Sequence, residues 1–262
     1  MSFNAESFSV RRRDRQLQLL GLVRERAQVE VATIAAATGA SVETIRRDLR
    51  ALEAQGLIRR SHGLVSAIES GAYETALAFR ATNHADEKAR IAERAVEHLG
   101  DARTVFLDEG FQTQLIAARL IATPGLTVVT SSLPVANALA SRSDAQVIIV
   151  GGRVRGNTLG VVDHWAAEML ATFNLDLAFI GANGVSAEHG LSTPDPAVAM
   201  VKAAAVRAAQ RNIFVGAHNK FGARTFVRFA ELRDFDLMIT GRELTGSAAA
   251  MLTSAGAHLV RV

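Results

Sequence analysis

The chain has 262 residues, 49% hydrophobic and 21% charged, which is enough to bury one large core or two smaller ones and too apolar for a disordered polymer. It contains no cysteine, which excludes disulfide frameworks, thiolate metal sites and cysteine nucleophiles. The first ten residues lack the apolar core of a signal peptide, and no run approaches the roughly 20 apolar residues of a membrane span, so a cytoplasmic protein is expected. The net charge of +3 hides an asymmetry: residues 1–60 carry 11 Arg against 7 Asp and Glu, while the remainder is slightly acidic. A basic end on a nearly neutral body suggests a polyanion contact, usually nucleic acid.

Residues 13–24 place Leu17, Leu20, Leu22 and Val23 at a helical period. Residues 31–38 predict a second short helix, with Ile34 and Ala35 inward and Gly39-Ala40 breaking it. Ser41 then caps a third helix, favoured further by Glu43 in its first turn, and Gly56 ends it. Ile45, Leu49 and Leu52 form its buried face, which leaves Thr44, Arg46, Arg47 and Arg50 pointing outward. Two helices joined by a tight glycine turn, the second with arginines outside, is helix-turn-helix geometry. LIRR and LVSAI then flank Ser61-His62-Gly63 as a hairpin wing carrying Arg59, Arg60 and His62.

This stretch resembles the signature of the DeoR/GlpR transcriptional regulators, at Thr44–Leu49, Leu52-Glu53, Gly56 and Arg60–Gly63. Leu64 stands where the family usually has a second glycine. The resemblance implies that the helix from Ser41 enters the major groove. Chemistry suits those roles: Arg46 and Arg47 can meet guanine edges or phosphates. Ser41, Thr44, Arg60 and His62 suit backbone contacts, with Arg50 on the same outer face and Arg12, Arg13 and Arg15 as further phosphate partners. Asp48 is expected to be a structural anion holding Arg47 or a neighbouring arginine.

Residues 1–68 are therefore expected to form a winged helix-turn-helix domain, 69–85 a linker, and 86–262 an α/β domain. The last begins with a helix over residues 84–99, with Ile91, Ala95, Val96 and Leu99 inward. Apolar runs TVFLD, LTVVT, QVIIV, LDLAFIG, NIFVG, DLMIT and HLVRV follow, with helical runs FQTQLIAARLI, LPVANALAS, HWAAEMLATF and PAVAMVKAAAVRAAQR among them. Such continuous buried strands predict a mainly parallel sheet covered by helices, whose ligands bind beyond the carboxyl ends of the strands. Polar, glycine-bearing loops stand there: Asp108-Glu109-Gly110, Thr130-Ser131-Ser132, Gly151-Gly152-Arg153, Gly181-Ala182-Asn183-Gly184 and His218-Asn219-Lys220. No GxGxxG, GKS/T or GxSxG motif occurs, and the seven His are scattered along the chain, so no cofactor, metal or nucleophile is expected.

This segment also resembles the effector domain of the same family, which is similar to ribose-5-phosphate isomerase. The matching pieces are Lys88–Ala92, Phe106–Gly110, Thr130–Ala136, Gly151–Arg155, the GLST after His189, Lys202 and Asn219–Gly222. Family members commonly take a phosphorylated sugar there. The resemblance implies that Asp108, Gly110, Thr130, Ser131, Gly152 and Arg153 line the site and that Lys202 and Lys220 supply positive charge; Asn183 joins them from its own loop. One departure stands out. The usual Asp-Ser-Gly-Thr-Thr is here Asp108-Glu109-Gly110-Phe111-Gln112, which exchanges three hydroxyls for a carboxylate, a ring and an amide. A carboxylate beside a phosphate is unfavourable unless a cation such as Arg153, Arg155 or Lys220 intervenes, so an unphosphorylated sugar or polyol is expected over a sugar phosphate.

These features predict a repressor of a carbohydrate-catabolic operon. It binds operator double-stranded DNA as a homodimer or homotetramer and is released by a small sugar-like effector. Two alternatives remain at this stage: a sugar-phosphate isomerase-like enzyme carrying a DNA-binding module, with Asp108, Glu109 and Lys202 in catalytic roles, and an architectural DNA-binding protein.

Overall fold

The computed structural model describes residues 14–16, 18–23, 26, 28–54, 58–61, 63–67, 84–120, 123–141 and 144–262. The chain divides into two compact units, Met1–Arg80 and Ala81–Val262.

In the first unit the helical period produces α1 (helical at residues 14–16 and 18–23), α2 (Val31–Thr38) and α3 (Val42–Ala54). Gly39 ends α2 at φ 65°, a left-handed conformation that glycine adopts without a Cβ penalty. The Thr44 N–H donates to Ser41 Oγ at 3.2 Å, the expected cap of α3. Ile45, Leu49 and Leu52 are buried against Val23, Ile34 and Val65 in one core. Leu19 and Leu20 face that core from α1, whereas Leu22 is half-exposed and Leu17 lies outside the described residues.

The wing is a hairpin of β2 (Ile58–Ser61) and β3 (Leu64–Ala67), in register from Ile58↔Ala67 to Ser61↔Leu64. Gly63, just before β3, stands at φ 81°, a backbone that favours glycine. A third strand, β1 (Gln28–Glu30), pairs antiparallel with β3 and was not expected. Only Val29 of its three residues is apolar, too short an alternation to read.

The second unit opens with α4 (Ala85–Glu97). Each expected apolar run then becomes a strand: β4 (Thr104–Leu107), β5 (Thr127–Thr130), β6 (Gln146–Ile149), β9 (Leu175–Ile180), β12 (Ala209–Val215), β14 (Leu237–Thr240) and β15 (Leu259–Arg261). They form one seven-stranded sheet in the order β15-β14-β12-β9-β4-β5-β6, and every pair is parallel.

Strand alternation sorts the side chains into two cores. Val105, Leu107, Leu177, Phe179, Ile213 and Val215 pack with α4, α5 (Phe111–Leu120) and α6 (Leu133–Ala140). Phe106, Ala178, Ile180 and Phe214 pack on the other face with α7 (His164–Ala171), α8 (Pro196–Ala208) and α9 (Gly246–Ser254). The result is a helix–sheet–helix sandwich. Small antiparallel sheets decorate it: β7 (Arg153–Val154) with β8 (Val161–Val162), and β10 (Gly184–Ser186), β11 (Gly190–Thr193) and β13 (Val227–Ala230). No helix among the described residues is long and apolar enough to cross a membrane.

Leu49 is fully buried in the single small core of the first unit. Leu49→Ala should cost about 2–5 kcal/mol, whereas exposed Arg46→Ala should stay within about 0.5 kcal/mol. Denaturant unfolding of the two variants, followed by circular dichroism, checks the contrast.

Candidate functional site

The outer face of α3 presents Arg46 and Arg47, both exposed and neither with a partner among the described residues. Three other arginines of this unit, Arg15, Arg50 and Arg60, are already engaged. Arg15 Nε donates to Asp48 Oδ2 at 2.5 Å and Gln16 Nε2 to Asp48 Oδ1 at 3.2 Å. Asp48, only 1% exposed, is thus the expected structural anion, but it ties α1 to α3 through Arg15. Arg50 pairs with Glu43 at 3.3 Å. Arg60 gives its backbone N–H to Glu53 Oε1 at 3.0 Å and its Nε to Oε2 at 2.7 Å, which clamps the wing to α3.

The hydrogen bonds from Arg60 hold the Glu53 carboxyl below the usual range. Their stabilisation is present above the ordinary carboxylate pKa and is lost as pH falls through the lowered one. Ser41 and Thr44 sit at the start of the same helix, their hydroxyls 2.9 Å apart. His62, Arg12 and Arg13 lie outside the described residues.

In the second unit the strand order reverses between β4 and β9: the chain runs outward through β5 and β6, then returns to β9 on the other side. That reversal is the topological switch point, where open parallel sheets place their ligand site. Asp108 follows β4 and Gly181 follows β9. The Gly181 N–H donates to Asp108 Oδ2 at 3.0 Å. Lys202, from α8, ion-pairs with the same oxygen and donates to the Gly181 carbonyl at 3.0 Å. Asp108 is fully buried and Lys202 is 4% exposed. Burial pushes the Asp108 carboxyl up, and the Lys202 ammonium and the Gly181 N–H pull against it. Among the described residues Asp108 Oδ1 has no hydrogen-bond partner, nor does the buried Ser131 Oγ at the end of β5.

The remaining named residues divide between this edge and structural duties. Glu109 does not face solvent: Arg155 Nη1 donates to it at 3.3 Å and Thr158 Oγ1 at 2.7 Å. Arg155 is shared, its Nε lying 3.1 Å from Asp195. Gln112 donates to the Lys88 carbonyl at 2.9 Å and binds α5 to α4. Phe111 is half-buried, with Lys88 Nζ 5.6 Å from its ring centroid. Thr130 Oγ1 donates to the Leu107 carbonyl at 2.6 Å, locking β5 to β4. Gly110 and Gly152 sit at φ 131° and 149° in their loops. Arg153 is 60% exposed and holds Asp163 at 2.8 Å. Asn183 is buried, and Lys220 is half-buried in the turn after β12.

Thr158, Asp195 and Thr193, whose buried hydroxyl lacks a partner, were not anticipated; they come from loops and a short strand without periodicity. The histidines are also less scattered than their spacing suggested, because His84, Glu87 and His218 bring their ligand atoms within 4.8 Å of one another.

Residues 83–242 match the family model described as the DeoR C terminal sensor domain, and residues 15–71 that of the DeoR-like helix-turn-helix domain. The chain is 34% identical over 247 residues to a Haloferax volcanii protein named HTH-type transcriptional regulator GlpR, spanning 94% of this chain and 96% of that one. It is 28% identical over 235 residues to the Glycerol-3-phosphate regulon repressor of Escherichia coli (strain K12), spanning 90% and 93%. Among solved structures, ribose 5-phosphate isomerase A of Methanocaldococcus jannaschii aligns over 52% of this chain and 54% of that one. Its TM-score is 0.37 at 18% identity, a likeness too loose to bear on function.

Lys202→Met should leave a buried carboxylate without its cation and cost about 3–5 kcal/mol. Asp108→Asn in the same chain should recover much of that loss. The cost should also shrink as pH is lowered, because protonating the unpaired Asp108 removes the buried charge. Thermal melts of the single and double variants between mildly acidic and neutral pH test this, and equal costs at every pH would contradict it.

Proposed function

The chain belongs to the DeoR family of transcriptional regulators, and on that premise we propose that it represses a carbohydrate-catabolic operon and leaves its operator when a small sugar or polyol binds beside Asp108. The matched relatives are named as regulators and not as enzymes, so the isomerase alternative is set aside. In this reading residues 69–85 link the reader to the sensor, and the protein works in the cytoplasm, where its DNA is.

The observation that carries the ligand class is the unpartnered pair of acceptors at the switch point, Asp108 Oδ1 and Ser131 Oγ. Buried polar atoms without partners are costly, and ligand hydroxyls supply what they lack. Glu109 and Asp195 together occupy Arg155, so this buried guanidinium is already committed to two carboxylates. This favours an unphosphorylated ligand. One relative is named for a glycerol-3-phosphate regulon, which makes glycerol and glycerol 3-phosphate the first matched pair to compare.

Calorimetry on such pairs, each polyol or sugar with and without its phosphate, tests the assignment. The unphosphorylated member should bind, and Asp108→Asn should weaken it. Binding of the phosphorylated member alone, unchanged in Glu109→Ser, would overturn the ligand class. Repression and release require reciprocal coupling, so a ligand that loosens operator DNA must itself bind more weakly to the DNA-bound protein.

For DNA, Arg46 and Arg47 carry the affinity in this reading, on a homodimer or homotetramer whose readers meet half-sites about one helical turn, or a multiple, apart. Each Arg→Ala change should cost about 1–3 kcal/mol if the side chain reads a base, or weaken all sequences alike if it meets phosphate. Binding to a genomic fragment selected by the protein itself, at matched salt, provides the measurement. Wild-type affinity in both variants would remove α3 as the reading helix.

A further inference from the structure

His84 stands directly before α4, Glu87 in the first turn of α4, and His218 in the turn after β12. Glu87 is 3% exposed, although carboxylates are rarely so buried unless paired. Its Oε2 lies 2.8 Å from His218 Nδ1 and 3.9 Å from His84 Nδ1, and its Oε1 accepts the His218 backbone N–H at 2.7 Å. The backbone of His84 is left-handed, φ 56° and ψ 42°, uncommon for any residue with a Cβ. Its ring meets that of His218 edge-on, with centroids 4.8 Å apart. Two imidazoles and one carboxylate therefore converge from two separate segments.

A Cβ on Gly241 would collide with both the Glu87 and the Glu243 carboxylates, so a second acid stands at the same wall, and only glycine leaves room for the two. Arg90 is turned onto Glu243, with Nη2 donating to Oε1 at 2.6 Å, and Lys88 reaches over the Phe111 ring.

We propose that His84, Glu87 and His218 bind a divalent transition metal ion of the zinc type. Two neutral imidazoles with one carboxylate are a donor set that zinc accepts, with water completing four ligands. Ligand atoms within 4.8 Å of one another need only small side-chain shifts to surround an ion about 2.0–2.2 Å from each. Bound there, the ion fastens the start of α4 to the turn after β12, two segments otherwise joined by hydrogen bonds of Glu87.

The test uses untagged full-length protein, stripped with a chelator and dialysed, and the probes are Zn2+ and Co2+ alone. Calorimetry should show one saturable Zn2+ site per chain, and Co2+ should give the visible absorption of a histidine-ligated ion. His84→Asn, which tolerates the left-handed backbone, and His218→Ala should each weaken Zn2+ binding by at least about tenfold. His258→Ala, a histidine remote from Glu87 in sequence and on another strand edge, should leave it unchanged. Zn2+ should raise the melting temperature of the wild type and not of the two ligand variants. Matching melts of all three in chelator show that the variants still fold; if one does not, the other and the Co2+ spectrum decide. No saturable binding, or binding that survives both substitutions, would overturn the site. Neither outcome bears on operator binding, which is measured separately.

Discussion

An ammonium and a carboxylate, both withdrawn from water, hold together the three segments on which the sensor domain turns. Lys202 reaches from α8 to Asp108 at the end of β4 and to the carbonyl of Gly181 at the end of β9. Burying each charge alone would cost several kcal/mol, so the two are tolerated only together and with their extra hydrogen bonds. The pair spans the place where the sheet reverses its strand order. It also explains why a polar atom is left over at this edge: Lys202 and Gly181 both engage Asp108 Oδ2, while Oδ1 has no partner.

The DNA-reading unit shows the opposite economy of charge. Its arginines outnumber its acids in sequence, yet Asp48, Glu43 and Glu53 each hold one of them. These contacts join α1 to α3 and the wing to α3, so part of the basic character serves to set the geometry of the reader. Arg46 and Arg47 stand outside that network on the face opposite Ile45, Leu49 and Leu52.

The seven-stranded sheet was legible because each of its strands carries a short apolar run, and in the central β4, β5 and β9 that run is buried on both faces. The caps and turns of the first unit were legible for a similar reason: Ser41, Gly39 and Gly63 are residue types chosen by backbone geometry. What escaped was short or low in contrast. β1 offers one apolar residue, the antiparallel strands β7, β8 and β10 are two or three residues long, and α9 begins with Gly-Ser-Ala-Ala-Ala, which has little amphipathic pattern. At the site, Asp108 and Lys202 could each be named from their positions, but not their pairing across 94 residues. Thr130 and Gln112 fall in the right loops, yet their polar groups serve the backbone of neighbouring elements. Glu87 and His218, 131 residues apart, share no local pattern at all.

The internal pairing of Arg15, Arg50 and Arg60 has a consequence for how ionic strength acts on the complex with DNA. A duplex releases condensed counterions in proportion to the phosphates that a protein neutralises, and this release drives much of the affinity. A guanidinium that arrives with a carboxylate already beside it brings no net charge to the phosphates and frees few ions. With Arg46 and Arg47 in the role proposed for them, the electrolyte dependence of DNA binding should be shallower than the count of basic residues implies. The protein should hold its site across a wider range of salt concentration than its composition suggests.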